Sequence, residues 1–283
     1  MAETTSTVKP TTSVQAKKSS NVISLLAPVL CLLAGYCIWR FVLGNPTNFE
    51  KSGSGWFWPD REGPKSALSK MYLGGIIVPI LIGTFLTMLT FVIVRFMTIA
   101  KANGTGNNAD FIRKVQYQLA NKNVDAALAE CDKQKGSVGN VMKAGLHRYK
   151  AMIANTELTT DQKVMSIQKE VEEATSLELP MLEKNLVFLS TIASIATLLG
   201  LLGTVLGMIR AFVNLGADSG GAGAANQLSV GISEALYNTA LGIGTSAFAI
   251  IFYNIFTTKI DGITYGIDES GFTLTQTFAS LYK

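Results

Sequence analysis

One carboxylate, Glu234, interrupts an apolar segment running from Leu228 to Thr258, and hydroxyls line both that segment and the one before it, Asn185 to Leu215. An unpaired carboxylate inside a bilayer costs several kcal/mol or protonates, so an acid in such a segment marks a site for moving ions or protons. Ser190, Ser194, Thr197 and Thr204 recur at steps of four, three and seven, which brings them onto one side of a helix. In the second segment Glu234, Asn238 and Thr245 share one face, with Thr239 about 140° around from Glu234 at about 100° per residue. Hydroxyls can donate and accept without carrying charge, which suits them to solvate a carboxyl in either protonation state. Thr204 lies ten residues before Asn214 and Thr239 ten after Ser229. At about 1.5 Å per residue both reach about 15 Å below the outer surface, and Glu234 about 8 Å. Arg210 falls at a level similar to Glu234 and is placed to pair with it. Packing is a competing use, because small and hydroxyl residues also let membrane helices approach closely, and Ser or Thr can bond its own backbone carbonyl.

The elements that position these residues follow from composition. Hydrophobic residues make up 48% of the chain and charged ones 16%, a balance that belongs to membrane proteins. About 20 apolar residues cross the hydrocarbon core as a helix, and the windows Val22–Leu43, Leu73–Met97, Leu186–Leu215 and Leu228–Phe256 all qualify. They show no period-two alternation, which argues against a barrel. The expected fold is an all-α membrane protein with four transmembrane helices and long cytoplasmic helical extensions, able to form a ring. Its divisions are a disordered tail over 1–20, spans over 21–44, 71–97, 184–215 and 228–258, outer loops over 45–70 and 216–227, and cytoplasmic regions over 98–183 and 259–283. The connection from Asn214 to Gln227 has no Lys or Arg, whereas Lys101 to Lys184 is rich in both. The positive-inside rule therefore puts the long stretch and both termini in the cytoplasm.

Trp56, Phe57 and Trp58 before Pro59 read as a headgroup-level anchor of the outer loop. Arg40 and Arg95, near span ends, can snorkel to water. Asn103, Gly104, Gly106 and Asn107 make a turn past the second span, and Phe111, Val115 and Leu119 begin short packed helices. Thr159 with Gln162 is a capping-box pattern, after which Val164, Ile167, Val171 and Ala174 recur at helical spacing. From there one helix of about 55 residues, roughly 80 Å, is expected to reach Leu215 with a kink at Pro180. Its amphipathic half needs neighbours from its own chain or from other copies. Cys31, Cys37 and Cys131 give no disulfide framework, and with His147 the only histidine no metal site is expected.

Gly200 to Gly207 reads GLLGTVLG, followed by Met208, Ile209, Arg210, Ala211 and Phe212. Gly231 to Gly242 reads GISEALYNTALG, and Tyr253 and Asn254 follow. These two blocks in this order resemble the MotA/TolQ/ExbB proton channel family, most closely its ExbB branch, over about residues 70 to 260. The resemblance implies a homo-oligomeric ring, pentameric in the well-described members, around a pair of single-span ExbD/TolR-like partners that each bring an essential Asp. It also implies a TonB-like protein and the bacterial inner membrane. Carried over by motif, the pore-lining Thr corresponds to Thr204 and the Glu and Thr of the second block to Glu234 and Thr239. Ser190, Ser194, Thr197 and Asn238 are further pore-lining candidates. The usual ExbB or TolQ subunit has three spans, so Val22 to Leu43 is an addition.

The expected function is therefore a proton channel subunit that couples proton motive force to TonB-dependent outer-membrane transport. The alternatives are a TolQ-like subunit for outer-membrane integrity and a non-conducting scaffold that holds partner helices. An enzyme is not expected: the Ser219 to Gly223 run lacks the Gly-Lys-Ser/Thr of a phosphate cradle, and no cofactor is implied. The positive charge forms no basic stripe for nucleic acid.

Overall fold

The computed structural model describes residues 21–53, 59, 61–217 and 222–282. Four of its helical stretches are long and apolar enough to cross a membrane, and a two-stranded hairpin accompanies the helices. The tail over 1–20 and the Trp56 to Trp58 cluster lie outside the described residues.

Helix α1 (Asn21–Cys37) continues through a wider π-type turn over Ile38–Leu43 and lies along α3 (Ile77–Ala102). The two backbones touch: a methyl group on Gly35 would lie 2.6 Å from the Gly83 nitrogen. Small residues permit this approach between membrane helices. The other face of α1 exposes Leu26, Val29, Leu30 and Leu33, an apolar stripe that only lipid or another protein can cover.

A plain loop is expected over 45–70, yet the chain there forms an antiparallel hairpin, β1 (Phe49–Ser52) with β2 (Arg61–Pro64), and a short helix, α2 (Ala67–Leu73). Ser66 and Ser69 cap α2 reciprocally. Aromatic burial holds the unit in place. Tyr72 stacks on Trp39 at 4.4 Å, takes Phe49 edge-on at 5.4 Å and donates its hydroxyl to the Pro59 carbonyl at 2.9 Å. The Trp39 indole N–H in turn donates to the Tyr72 carbonyl at 3.2 Å. Leu43 and Val78 complete this small core, which ties α1, the hairpin and α2 together.

Helices α4 (Asn108–Ala120), α5 (Val124–Gln134), α6 (Ser137–Ala154) and α7 (Thr160–Glu183) build a polar helical domain. Their starts follow from local chemistry. Asn107 and Asn123 accept from the Ala109 and Ala126 amides, and Thr159 with Gln162 forms the expected capping box. Phe111, Val115, Leu119, Ile167 and Val171 face the main core, as their spacing predicts. Cys131 is buried there and His147 is exposed.

Helices α8 (Leu186–Ala217) and α9 (Ala222–Leu281) differ from expectation in two ways. The single long helix through Pro180 is in fact two. Helix α7 stops at Glu183, Lys184 is extended with ψ 134°, and Asn185 adopts a left-handed φ of 69°. Asparagine tolerates that conformation better than most residues, and Pro180 weakens the last turn of α7 by removing a backbone donor. Residues 259–283, in contrast, are not a separate segment, because α9 runs for 60 residues. Ile260, Ile263, Ile267, Leu274 and Phe278 keep its far half buried. Tyr149 meets the Phe278 ring edge-on at 4.9 Å, Tyr282 stacks on it at 5.0 Å, and the Thr160 hydroxyl donates to the Tyr282 carbonyl at 3.0 Å. The membrane-remote end of α9 is thereby closed onto α6 and α7.

Candidate functional site

Helices α8 and α9 run antiparallel in close contact because their seam is made of small residues. A methyl on Gly242 would lie 2.6 Å from the Ala196 carbonyl oxygen, and one on Gly207 would lie 2.7 Å from the Ala235 Cβ. Side chains of ordinary size would hold the helices 8–10 Å apart at least. The glycines instead bring hydroxyls on facing helices into direct reach.

Thr204 on α8 and Thr239 on α9 meet in this way. Their hydroxyls lie within hydrogen-bonding reach of each other and of the Gly200 carbonyl, Thr204 at 3.2 Å and Thr239 at 3.1 Å. Two protons serve these three contacts, so the donors are shared among them, while the hydroxyl oxygens keep lone pairs that accept from a further group. Both residues are half-buried. Thr204 also borders an open groove of about 520 Å³ walled by Leu201, Val205, Met208 and Phe212. Thr204 therefore lies at the edge of an open apolar surface.

Toward the polar domain a second groove of about 630 Å³ opens between α8 and α9. Ser190, Ser194 and Thr197 line it together, as their spacing predicts, and α9 adds Ser246, Tyr253 and Asn254. The α9 contribution has a sequence signal, since a step of seven keeps Ser246 and Tyr253 on one helical side, with Asn254 beside Tyr253. Ser194 and Thr197 also bond back to the Ser190 and Ala193 carbonyls. Those bonds satisfy the hydroxyl donors of the two residues within an otherwise largely apolar lining.

Glu234 lies on the other side of the hydroxyl pair, in a pocket of about 130 Å³ with Lys70, Ser229 and Ser233. Arg210 is near enough to act on its carboxylate electrostatically, but the two groups do not close to an ion pair among the described residues. Asn238, one turn along α9, is only 1% exposed and faces into the protein. Its Nδ2 donates to the Gly74 carbonyl at 3.1 Å, and its side chain fills the space left by Gly203. The structure thus brings Thr204, Ser190, Ser194 and Thr197 to the open grooves, sets Thr239 against Thr204 behind them, and places Asn238 inside the α2, α8 and α9 junction. Arg95 does not snorkel either: it is 2% exposed and its Nη1 donates to the Met181 carbonyl at 3.4 Å, beside the break between α7 and α8.

Residues 133–269 match the MotA/TolQ/ExbB proton channel family. The ExbB biopolymer transport protein of Aquifex aeolicus is 31% identical over 119 residues, which are 42% of this chain and 71% of that protein. This chain belongs to the MotA/TolQ/ExbB proton channel family. The ExbB-like 3 biopolymer transport protein of Synechocystis sp. is 40% identical over 86 residues, 30% of this chain and 41% of that one. The Tol-Pal system protein TolQ of Haemophilus influenzae is 39% identical over 101 residues, 34% and 43% of the two chains. Alignment with these last two relatives thus spans less than half of their length. Family membership and the four apolar helices make this a multi-pass protein of the bacterial inner membrane. The matched residues hold Thr204, Glu234 and Thr239, while α1, the hairpin, α2 and α3 precede them.

Proposed function

We propose that this chain is the ring-forming subunit of a proton channel that couples proton motive force to TonB-dependent outer-membrane transport. The observation that carries the reading is the Thr204–Thr239 hydroxyl pair, whose Thr204 borders an open apolar groove; the residue count from the outer ends of the two spans, at about 1.5 Å per residue, supports a depth near mid-bilayer. Glu234 lies to its outer side and the hydroxyl-lined groove of Ser190, Ser194 and Thr197 to its inner side. Protons enter past Glu234, reach a protonatable Asp on the partner's single span opposite the hydroxyl pair, and leave along the lower groove to the cytoplasm. The basic residues of the polar domain support a cytoplasmic side for it and for both termini.

Assembly into a homo-oligomer, a pentamer by family resemblance, is supported by apolar surface outside the membrane segments. Met165 is 68% exposed and Phe272 66% exposed on α7 and α9, positions that lipid does not cover and a neighbouring copy does. The partner is of the ExbD/TolR type. It supplies the mid-membrane acid, so the chain alone does not conduct. A TolQ-like role in outer-membrane integrity is the second reading, favoured by the TolQ relative at an identity close to that of the ExbB-like one.

The test is proton flux in liposomes holding this chain with and without its co-expressed single-span partner, the complex being counted by native mass spectrometry. Flux is expected only with the partner, and Glu234→Gln is expected to suppress it in complexes of unchanged mass. Equal flux without the partner would refute the reading. Copurification of a TonB-like or a Tol-type protein separates the two roles.

A further inference from the structure

We propose that Lys70 is a cation filter: its fixed charge, on the wall of the pocket that holds Glu234, keeps metal cations off the proton route. The inference rests on the proposed route past Glu234.

Size does not provide the selectivity. The pocket, about 130 Å³, has room for a few waters or for a partly dehydrated cation. A hard metal cation bound there would still need about six or more oxygens. The pocket offers the Glu234 carboxylate and the hydroxyls of Ser229 and Ser233, and water would have to supply the remainder. A proton needs only one carboxylate oxygen, to which it bonds covalently. A fixed positive charge on the wall therefore acts unequally. It opposes both cations, but the metal ion has little coordination to set against it.

The helix that carries Lys70 is held in a defined place. Helix α2 begins at the Ser66–Ser69 capping box and is pinned through Tyr72 to Trp39 and Pro59. The turn that follows docks on the two membrane helices. Gly74 accepts from Asn238, and Gly75, at φ 76°, lies so close to Arg210 that a methyl group there would overlap the guanidinium. Only glycine combines that φ with that contact. Among the described residues Lys70 on α2 lines the pocket that holds Glu234, and Arg210 on α8 acts on its carboxylate electrostatically; both are positive. Lys70 also stands outside the segment that matches the family, which begins at residue 133, so the filter belongs to the chain's own outer elements.

The alternative is that Lys70, which is exposed, only reaches for lipid headgroups. Chemical restoration of charge distinguishes the two in complexes that have already assembled. Lys70→Cys is reconstituted with the single-span partner and the ratio of Na⁺ to H⁺ flux is measured. It is measured again after thiol modification by a trimethylammonium-ethyl or a sulfonato-ethyl methanethiosulfonate, with the Lys70 parent given the same reagents as control. The neutral variant is expected to raise the ratio about tenfold, as for removing one partly screened charge at close range. The cationic adduct restores the parent value and the anionic adduct raises the ratio further. Lys70→Gln, which needs no reagent, should match the unmodified Cys variant. An unchanged ratio across all of these overturns the filter and leaves Lys70 as a headgroup anchor. Glu234→Gln separates this from failure of the route: normal proton flux in that variant defeats the route itself, whereas suppressed flux with an unchanged ratio defeats only the filter.

Discussion

Replacing Thr239 by valine removes one hydroxyl and leaves the branched shape of the side chain. The Gly200 carbonyl loses the bond at 3.1 Å but keeps the one from Thr204 at 3.2 Å, so no backbone acceptor is orphaned. The cost in stability is one hydrogen bond, about 1 kcal/mol, too little to prevent assembly. The cost to proton transfer is larger. A carboxyl facing the pair loses one of two hydroxyl partners at a dry site, about 1–3 kcal/mol, and each 1.4 kcal/mol or so is a factor of ten in rate. Flux per complex is therefore expected to fall about 5- to 150-fold in Thr239→Val, while Thr239→Ser keeps most of it. Thr204→Val should behave alike, and the double variant should lose less than the product of the two because both act on one partner. Proteoliposomes with an internal pH dye, normalised to complexes counted by native mass spectrometry, provide the assay. Flux within twofold of the parent in Thr239→Val, with the complex intact, would refute the argument that the hydroxyls serve transfer and leave them as packing.

Three further outcomes follow from other parts of the fold. Phe278→Ala should destabilise the polar domain by about 3–5 kcal/mol, since Phe278 is fully buried between Tyr149 and Tyr282; a chemical melt in detergent reads it, and a loss under 1 kcal/mol contradicts the assigned role of the α9 terminus. The Cys31 sulfur lies 3.5 Å from the Thr90 hydroxyl, so Thr90→Cys should form a disulfide with Cys31 under mild oxidant, and adding Gly35→Leu should abolish it by forcing α1 off α3. Burial, with Asp132 beside it, pushes the Cys131 thiol up to about 12 from about 9. The folded state thus favours the neutral thiol, a contribution fully present below pH about 9 and lost as pH rises through 9 toward 12. Alkylation of Cys131 near pH 8.5 should then proceed only at the rate of local opening, and rapid labelling in the folded complex would contradict it.

The spans were legible because hydrocarbon imposes length and composition together, and the hydroxyl pair because its depth could be counted from both ends. The capping box at Thr159 was equally plain. Residues 49–64 were not, because mixed charge and glycine hide a hairpin whose order comes from Trp39 and Tyr72, distant in sequence. Asn238 shares a face with Glu234 in helical projection, but a carbonyl 164 residues away decides where it points. Arg95 reads as a span-end residue until α7 and α8 close over it. The continuation of α9 past residue 258 was readable in the spacing of Ile260, Ile263, Ile267 and Leu274. It was missed because membrane thickness, not periodicity, set the expected end.

The 60 unbroken residues of α9 make a lever. From Thr239 to Leu281 is about 63 Å at about 1.5 Å per residue, so a tilt of about 5° at the hydroxyl pair swings the far tip by about 5 Å. That tip is bolted to α6 and to the start of α7 through Phe278 and Tyr282. Helix α8 meets the polar domain through the break at Lys184 and Asn185 instead, which interrupts its continuity with α7. Of the two helices that share the Thr204–Thr239 contact, α9 alone runs unbroken into the polar domain.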